Sequence, residues 1–537
     1  MTLHDSGIHA VELVFLLLLL FVVVFATLAR KLQTPYPIVL VIAGLVLSCI
    51  PGMPKISLNP DVVFLIVLPP LLFSAAWLTS WRDFKFHLVS ILMLAFGLVG
   101  FTVLAVAATA RWAFAGFGWR LGCVLGAVVA TTDAIAATSI AKRLGLPPPI
   151  MDILEGESLV NDASGLLALE FALAMVVSGR TPTVSAGAVR LIVLIGVGLA
   201  MGLAGGLIAK WIGQRIDDGP IEIALSIFTP YAVYLLAESL HGSGVLAVVA
   251  CGLYLSRQSA QFLSASVRLQ VSAVWDSLTF VINGLVFVLI GLQLPQVLAG
   301  IREHNTRQLL LYGAFFSVIV ILLRLLWMFP AAHLGYFIRR WVLRQNYGAL
   351  GAKQIFLIGW TGMRGVVALA AAIALPETVA NGSPFPQRNL ILFLTFSVIL
   401  VTLVLQGLTL PSLIRALGLA SAGGDREQEQ EARRIIASSA LAHLKEARDQ
   451  DLPEFAGVYD HIAHHYEQRF ASLTKESADV DGMSNKQLER HRVLLAESLR
   501  IERKTAVRLR NEGHINDEVL RKIEHELDLI ETRVALS

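Results

Sequence analysis

Apolar residues dominate this chain up to about residue 418, in runs of span length separated by short loops that carry most of the charge. About twenty consecutive apolar residues make a membrane helix. By that measure the pattern predicts thirteen spans, at roughly 10–29, 36–51, 61–79, 86–110, 118–142, 150–178, 187–211, 220–240, 242–256, 273–297, 308–334, 352–377 and 388–415. The run from Val11 to Ala29 is of span length with no basic segment ahead of it, so it reads as the first membrane helix and not as a cleaved leader. Beyond residue 418 the pattern changes. Ala420-Ser421-Ala422-Gly423-Gly424 reads as a short hinge, and the remainder is rich in Glu, Arg, Lys and His. Leu488, Val493, Leu495 and Leu499, then Val519, Ile523, Leu527 and Ile530, recur near helical spacing. The pattern divides the chain into a membrane domain, 1–418, and a helical cytoplasmic tail, 419–537.

Composition agrees with this reading. With 55% of its residues hydrophobic and 15% charged, a soluble chain of 537 residues would lack polar surface, which leaves an all-α polytopic membrane protein. The net charge of +3 is too small to point to a nucleic-acid partner; membrane lipid is the expected surrounding. Thirteen spans put the termini on opposite sides. Loops on the side of the C-terminus hold about fifteen lysines and arginines, among them Arg82, Lys142, Lys210 and Arg257, against about eight on the other side. The positive-inside rule therefore predicts a cytoplasmic C-terminus and an N-terminus outside the cell membrane. Cys49, Cys123 and Cys251 lie in apolar runs at unrelated spacings, which excludes a disulfide framework and predicts buried packing positions. His461, His464 and His465 could bind a metal or sense pH, but with no cysteine or ligand framework nearby a solvated helix face is the better reading.

Chemistry enters where polar residues interrupt the spans. Gly156-Glu157-Ser158-Leu159-Val160-Asn161-Asp162-Ala163 places two carboxylates, a hydroxyl and an amide inside the sixth span. A charge at membrane depth costs at least roughly 2.5–3.5 kcal/mol, so such residues usually face a cavity and carry ions or protons. Helical spacing sets Ser158 and Asp162 on one face and Glu157 and Asn161 on the neighbouring one. A carboxylate beside neutral oxygens suits a small hard cation, or a proton in its place. Two other spans carry the marks of broken helices. The fifth contains Thr131-Thr132-Asp133-Ala134, and the twelfth contains Gly359-Trp360-Thr361-Gly362-Met363-Arg364-Gly365. Interrupted helices at matching places in two halves of opposite topology point to an inverted-repeat transporter with its site at the midplane. Close packing alone would account for the three glycines, but not for Arg364. Elsewhere, Glu170, Glu222, Glu238 and Asp276 are as readily structural as functional.

The motifs Thr132-Asp133, Gly156-Glu157-Ser158-Leu159-Val160-Asn161-Asp162, Arg324 and Gly362-Met363-Arg364-Gly365, in that order, resemble the Na+/H+ exchangers of the monovalent cation:proton antiporter-1 family, of the bacterial NhaP type. The resemblance covers residues 10–415 and implies thirteen helices, inverted repeats with crossed broken helices, core and dimerisation domains, and a homodimer with an elevator-like movement. It implies no enzyme activity and no resident cofactor, only transported Na+ and H+. Asp162 matches the family's ion-binding, proton-carrying aspartate. Ser158 and Thr132 match positions that supply oxygens to Na+, Thr132 through its carbonyl. Asn161 matches the asparagine of electroneutral members, and Asp133 the carboxylate at the helix crossing. Glu157 and Arg364 match a structural ion pair, with Arg324 compensating charge in the same core. One departure stands out: Ser74 occupies a position where some relatives carry an acidic ligand. The implied function is electroneutral Na+/H+ antiport for pH and cation homeostasis, with Li+ or K+ as alternative cations. A channel-like uniporter would want a continuous polar pore. An intramembrane hydrolase would need an activated nucleophile or paired aspartates, and neither a Gly-x-Gly-Asp signature nor a serine–lysine arrangement occurs in the spans.

Overall fold

The computed structural model describes residues 5–50, 58–177, 183–216, 218–263, 265–301, 305–345, 348–380, 382–420, 424–450, 456–473, 500–509 and the single positions 498, 512, 523 and 527. Ser421, Ala422 and Gly423 of the expected hinge lie outside the described residues, as do Leu488, Val493, Leu495, Leu499, Val519 and Ile530 of the distal tail.

Each predicted span has a helical counterpart among the described residues. In order they are Asp5–Lys31, Tyr36–Ser48, Pro60–Leu78, Trp81–Ala113, the pair Trp119–Ala130 and Ile135–Arg143, Pro148–Val177 and Val184–Gly213. Then come Gly219–Ser239, Gly244–Phe262, Ala265–Leu292, Thr306–Phe337, the pair Ala352–Trp360 and Val366–Ile373, and Arg388–Leu417. Local chemistry sets their ends. Asn59 accepts the Asp61 amide at 2.9 Å where Pro60 opens the third segment, and Ser243 and Asp218 cap the ninth and eighth. Gly418, at φ +68°, closes the thirteenth in the left-handed conformation that glycine adopts without penalty.

Contacts sort the segments into two bundles. The fourth to sixth pack with the eleventh to thirteenth, and the first to third pack with the seventh to tenth. We call these the core bundle and the scaffold bundle. An offset of seven segments relates the two halves of the core, so equivalent helices run in opposite directions, as an inverted repeat requires. Burial follows this division. In the fifth segment 72% of the apolar stretch is buried inside the protein, against 22% in the seventh, so the fifth is interior while the seventh faces lipid. Without a hydrophobic drive between helices in lipid, small residues let backbones meet. A Cβ at Gly126 would lie 2.7 Å from the Val103 Cα, which seats the fifth segment on the fourth. Of the cysteines, Cys123 and Cys251 are buried as expected, whereas Cys49 is exposed at the end of the second segment.

The chain divides into two compact units, 1–422 and 423–537. In the second, Gly424–Gln450 and Ala456–Leu473 pack against each other, with Arg448 and Asp460 paired at 3.1 Å on the surface. His461 and His464 are exposed, and no group of three metal-binding side chains occurs among the described residues.

Candidate ion-binding site

The fifth and twelfth segments break where they cross. The fifth leaves the helix after Ala130, Thr131 turns extended, and the chain re-enters at Ile135, whose amide donates to Asp133 Oδ1 at 2.8 Å. The aspartate thus satisfies the first amide of the half-helix that follows it. In the twelfth, Thr361 to Gly365 separate the two half-helices. The Asp133 amide donates to the Met363 carbonyl at 2.8 Å, tying one break to the other. Two of the glycines are explained by this approach. A Cβ at Gly362 would overlap the Arg324 guanidinium, and one at Gly365 would overlap the Asp133 carboxylate.

Broken helices leave unpaired backbone groups and partial charges at their ends. The structure answers them with side chains of opposite sign. Arg364 donates to the carbonyls of Val129 and Gly362, both at 2.7 Å, and Arg324 donates to those of Gly359 and Ile358 at 3.1 and 3.2 Å. Asp133 sits instead at the amide end, against Ile135. Each charge faces the end of the half-helix that suits it.

This arrangement corrects the expected pairing of Glu157 with Arg364. Glu157, 2% exposed, takes the fork of Arg324 in a bidentate contact, Nη1 to Oε1 at 2.5 Å and Nη2 to Oε2 at 2.8 Å. The Thr132 hydroxyl adds a third bond to Oε1 at 3.0 Å. The reason is directional: Arg364 spends its donors on one carbonyl at the end of the first half-helix of the fifth segment, Val129, and one in the break of its own segment, Gly362. Arg324, expected only to compensate charge, is therefore the residue that holds the sixth segment to the eleventh.

One helical turn further along the sixth segment the situation reverses. Asp162 is 7% exposed, yet its carboxylate has no hydrogen bond or ion pair among the described residues. It faces a cavity of about 210 Å³ together with Ser158, Asp133, Thr132, Ser74 and Asn283. Ser158 donates to the Thr132 carbonyl at 3.3 Å and accepts the Ala134 amide at 3.4 Å. Asn161 turns behind the cavity, where its amide donates to the Thr132 carbonyl at 3.3 Å and also to the Thr132 hydroxyl. Its own oxygen is buried without a hydrogen-bond partner among the described residues. The Thr132 carbonyl, expected to be an ion ligand, is engaged here by Ser158 and Asn161. Asp162, Ser158, Thr132 and Asp133 come together at the cavity; Glu157, Asn161, Arg324 and Arg364 brace it from behind.

Two contributions were not read from the sequence. Asn283, on the tenth segment, brings a neutral amide from the scaffold bundle to the cavity; its only signal is an amide inside an apolar run. Lys142 and Glu155, paired at 3.0 Å, line the far end of the cavity near the 144–147 turn.

The family model described as "Sodium/hydrogen exchanger, transmembrane" matches residues 16–416. The chain belongs to the sodium/hydrogen exchanger family. It is 34% identical to an uncharacterized Na+/H+ exchanger of Mycobacterium tuberculosis, Rv2287, over 99% of this chain and 98% of that one. It is 33% identical to a sodium, potassium, lithium and rubidium/H+ antiporter of Bacillus pumilus, over 82% of this chain and 66% of that one. In fold it is similar to the sodium proton antiporter MjNhaP1 of Methanocaldococcus jannaschii, with a TM-score of 0.56 at 20% identity, covering 75% of this chain and 97% of that one. Within this exchanger, then, the crossing and its cavity lie inside the part of the chain that defines the family.

Proposed function

We propose that this exchanger carries one Na+ against one H+ across the membrane through Asp162, in an electroneutral cycle. The observation that carries the reading is the Asp162 carboxylate itself, buried at membrane depth, facing a cavity and lacking any protein partner among the described residues. A charge so placed is stable only with a cation or a proton. The Ser158 hydroxyl beside it, with the amide oxygen of Asn283 and the Ser74 hydroxyl across the cavity, offers neutral oxygens for a hard monovalent ion. Thr132 joins this set if its carbonyl exchanges a hydrogen bond for the ion. Asn161 acts by holding Thr132, and Asp133 by occupying the amide end of the crossing.

The charge count follows from these roles. Asp162 returns either with one monovalent cation or with one proton, so the core carries the same net charge in both directions. Glu157 is fixed by Arg324, Asp133 by the Ile135 amide, and Ser74 cannot ionise. The cavity reaches from Asp162 to the Lys142–Glu155 end, whereas a separate cavity of about 310 Å³ starts at Ala163 and Ser164 and ends at Glu170 and Arg190. Two cavities that stop on either side of Asp162 favour alternating access over a continuous channel. The basic loops support a cytoplasmic C-terminus, which makes the Asp162 cavity inward-facing. We assign the scaffold bundle to a homodimer and the core bundle to the moving part, on the resemblance to the family.

The test is Na+-driven pH change in proteoliposomes under a potassium gradient with valinomycin. The initial rate and the final gradient are expected not to respond to the imposed potential. A final gradient that shifts with voltage would overturn the one-for-one count and implicate Asp133. Li+ and K+ run in parallel decide cation preference, a question sharpened by the broad cation range in the name of the Bacillus pumilus relative.

A further inference from the structure

A third cavity, of about 510 Å³, lies between the two bundles away from the ion site. The fourth and sixth segments form its core wall and the seventh and ninth its scaffold wall. Its lining is apolar except at one end, where Tyr254 and Arg257 stand near Trp81. Leu199 and Leu203 on its lip are about half exposed, at 42% and 46%, so the groove opens to lipid.

Its polar end has a defined side. Trp81 starts the fourth segment, Arg257 lies in the last turns of the ninth, and Lys210 lies in the last turn of the seventh, bonded to Gln258 at 3.0 Å. By helix direction these positions share one membrane face, the basic face of the loop count. Arg257 makes no hydrogen bond or ion pair among the described residues, and neither does Arg82, next to Trp81. From Trp81 to Phe96 the groove follows fifteen residues of helix, about 22 Å at 1.5 Å per residue. That exceeds the roughly 15 Å of hydrocarbon in one leaflet, half of a 30 Å core. The deep end is therefore at mid-membrane, where Val160 lines it, two residues from Asp162.

We propose that this groove binds one anionic phospholipid, with its phosphate at Arg257 and an acyl chain running along the fourth segment to Val160. Arg257 at the rim, with no ion pair among the described residues, favours an anionic headgroup over a zwitterionic one, and Trp81 and Tyr254 anchor the interfacial end. An apolar slot that ends at membrane depth takes an acyl chain and excludes a soluble anion. The chain would lie between the two bundles, against the helix that carries Asp162, so its presence sets how easily the bundles slide past each other.

The test uses the full chain, delipidated in detergent and then offered phosphatidylglycerol or phosphatidylcholine, with retained lipid read by native mass spectrometry. Wild type is expected to retain phosphatidylglycerol preferentially, and Arg257→Gln to lose about fivefold of that preference, the worth of one basic residue at an anionic surface. Leu199→Trp, which fills the lip, is expected to lower retention of both lipids. Should Leu199→Trp fail to fold, Arg257→Gln, at an exposed rim position, still decides the matter. Equal retention of the two lipids by wild type, or unchanged preference in Arg257→Gln, would overturn the proposal. So would a cross-link between cysteines placed at Leu203 in two copies of the chain, which would assign the groove to a protein contact. Retention is read without transport, so its failure is distinct from failure of the exchange reading. In vesicles, exchange by wild type is expected to be faster with phosphatidylglycerol present than in phosphatidylcholine alone, and the Arg257→Gln variant to show no such difference.

Discussion

Glu157 and Asp162 stand on one helix, little more than a turn apart, and are both buried, yet their surroundings are opposite. Glu157 has its two oxygens filled by the Arg324 fork and the Thr132 hydroxyl. Asp162 has no partner among the described residues, and a cavity in front of it. A buried carboxylate with both oxygens bonded, and paired with a buried arginine, belongs to the framework, because any ion that displaced its partner would leave a second charge uncompensated. A buried carboxylate left open can exchange one small cation for another. On the proposed function, the rear of the crossing stays charged and fixed while the front changes its occupant.

The comparison can be broken most severely at Asp162. Asp162→Asn removes the ionisable group with little change in volume, and exchange in proteoliposomes is expected to fall to the level of empty vesicles while the melting temperature holds. Residual exchange near wild type would mean that another carboxylate carries the ion, with Asp133 the first to examine. Behind the crossing the expected effect is on stability. Arg324→Met leaves Glu157 buried without its partner, a change that costs about 3–5 kcal/mol in comparable pairs. Yield and melting temperature are expected to drop together, and the double variant Glu157→Gln with Arg324→Met to recover part of the loss. No interaction between the two substitutions would show that the pair is not the brace described.

Milder changes sharpen the contrast. Ser158→Ala removes one hydroxyl from the cavity and two weak bonds to the crossing. With a hydrogen bond worth about 1 kcal/mol, the apparent KM for Na+ is expected to rise about fivefold with the maximal rate little changed. A fall in rate at constant KM would place Ser158 in the framework instead. The smallest effect is expected at the cavity mouth. Lys142 is 61% exposed and Glu155 25%, so their pair contributes at most about 1 kcal/mol. Lys142→Gln is expected to alter the initial rate by less than about fivefold, and less again at high salt.

Much of this was legible in the chain because the bilayer makes polar residues conspicuous. Asp162, Ser158, Thr132 and Asp133 stood out as interruptions of apolar runs, and the cavity gathers all four. The fold was legible for the same reason, although the ninth and tenth helices run to Phe262 and start at Ala265, beyond the predicted limits of 256 and 273. Their polar ends, with Arg257, Gln258, Arg268 and Gln270, continue as helix past the apolar stretch, which an apolar count cannot register. The partner of Glu157 was not legible. Two buried arginines are available to it, and the choice depends on which guanidinium the broken backbone draws toward its carbonyls. Asn283 escaped notice because a single amide in an apolar helix belongs to no motif.

Competition of cation and proton for one carboxylate is read most directly from the apparent KM for Na+ measured at a series of symmetric pH values. Protonated Asp162 cannot hold a cation, so by linkage each ion weakens the apparent affinity for the other. The KM is expected to rise steadily as pH falls through the titration of the site and to level off on the alkaline side, while activity passes through a maximum between proton-limited and cation-limited conditions. A KM that stays flat from acid to alkaline pH would contradict the shared site and with it the role given to Asp162.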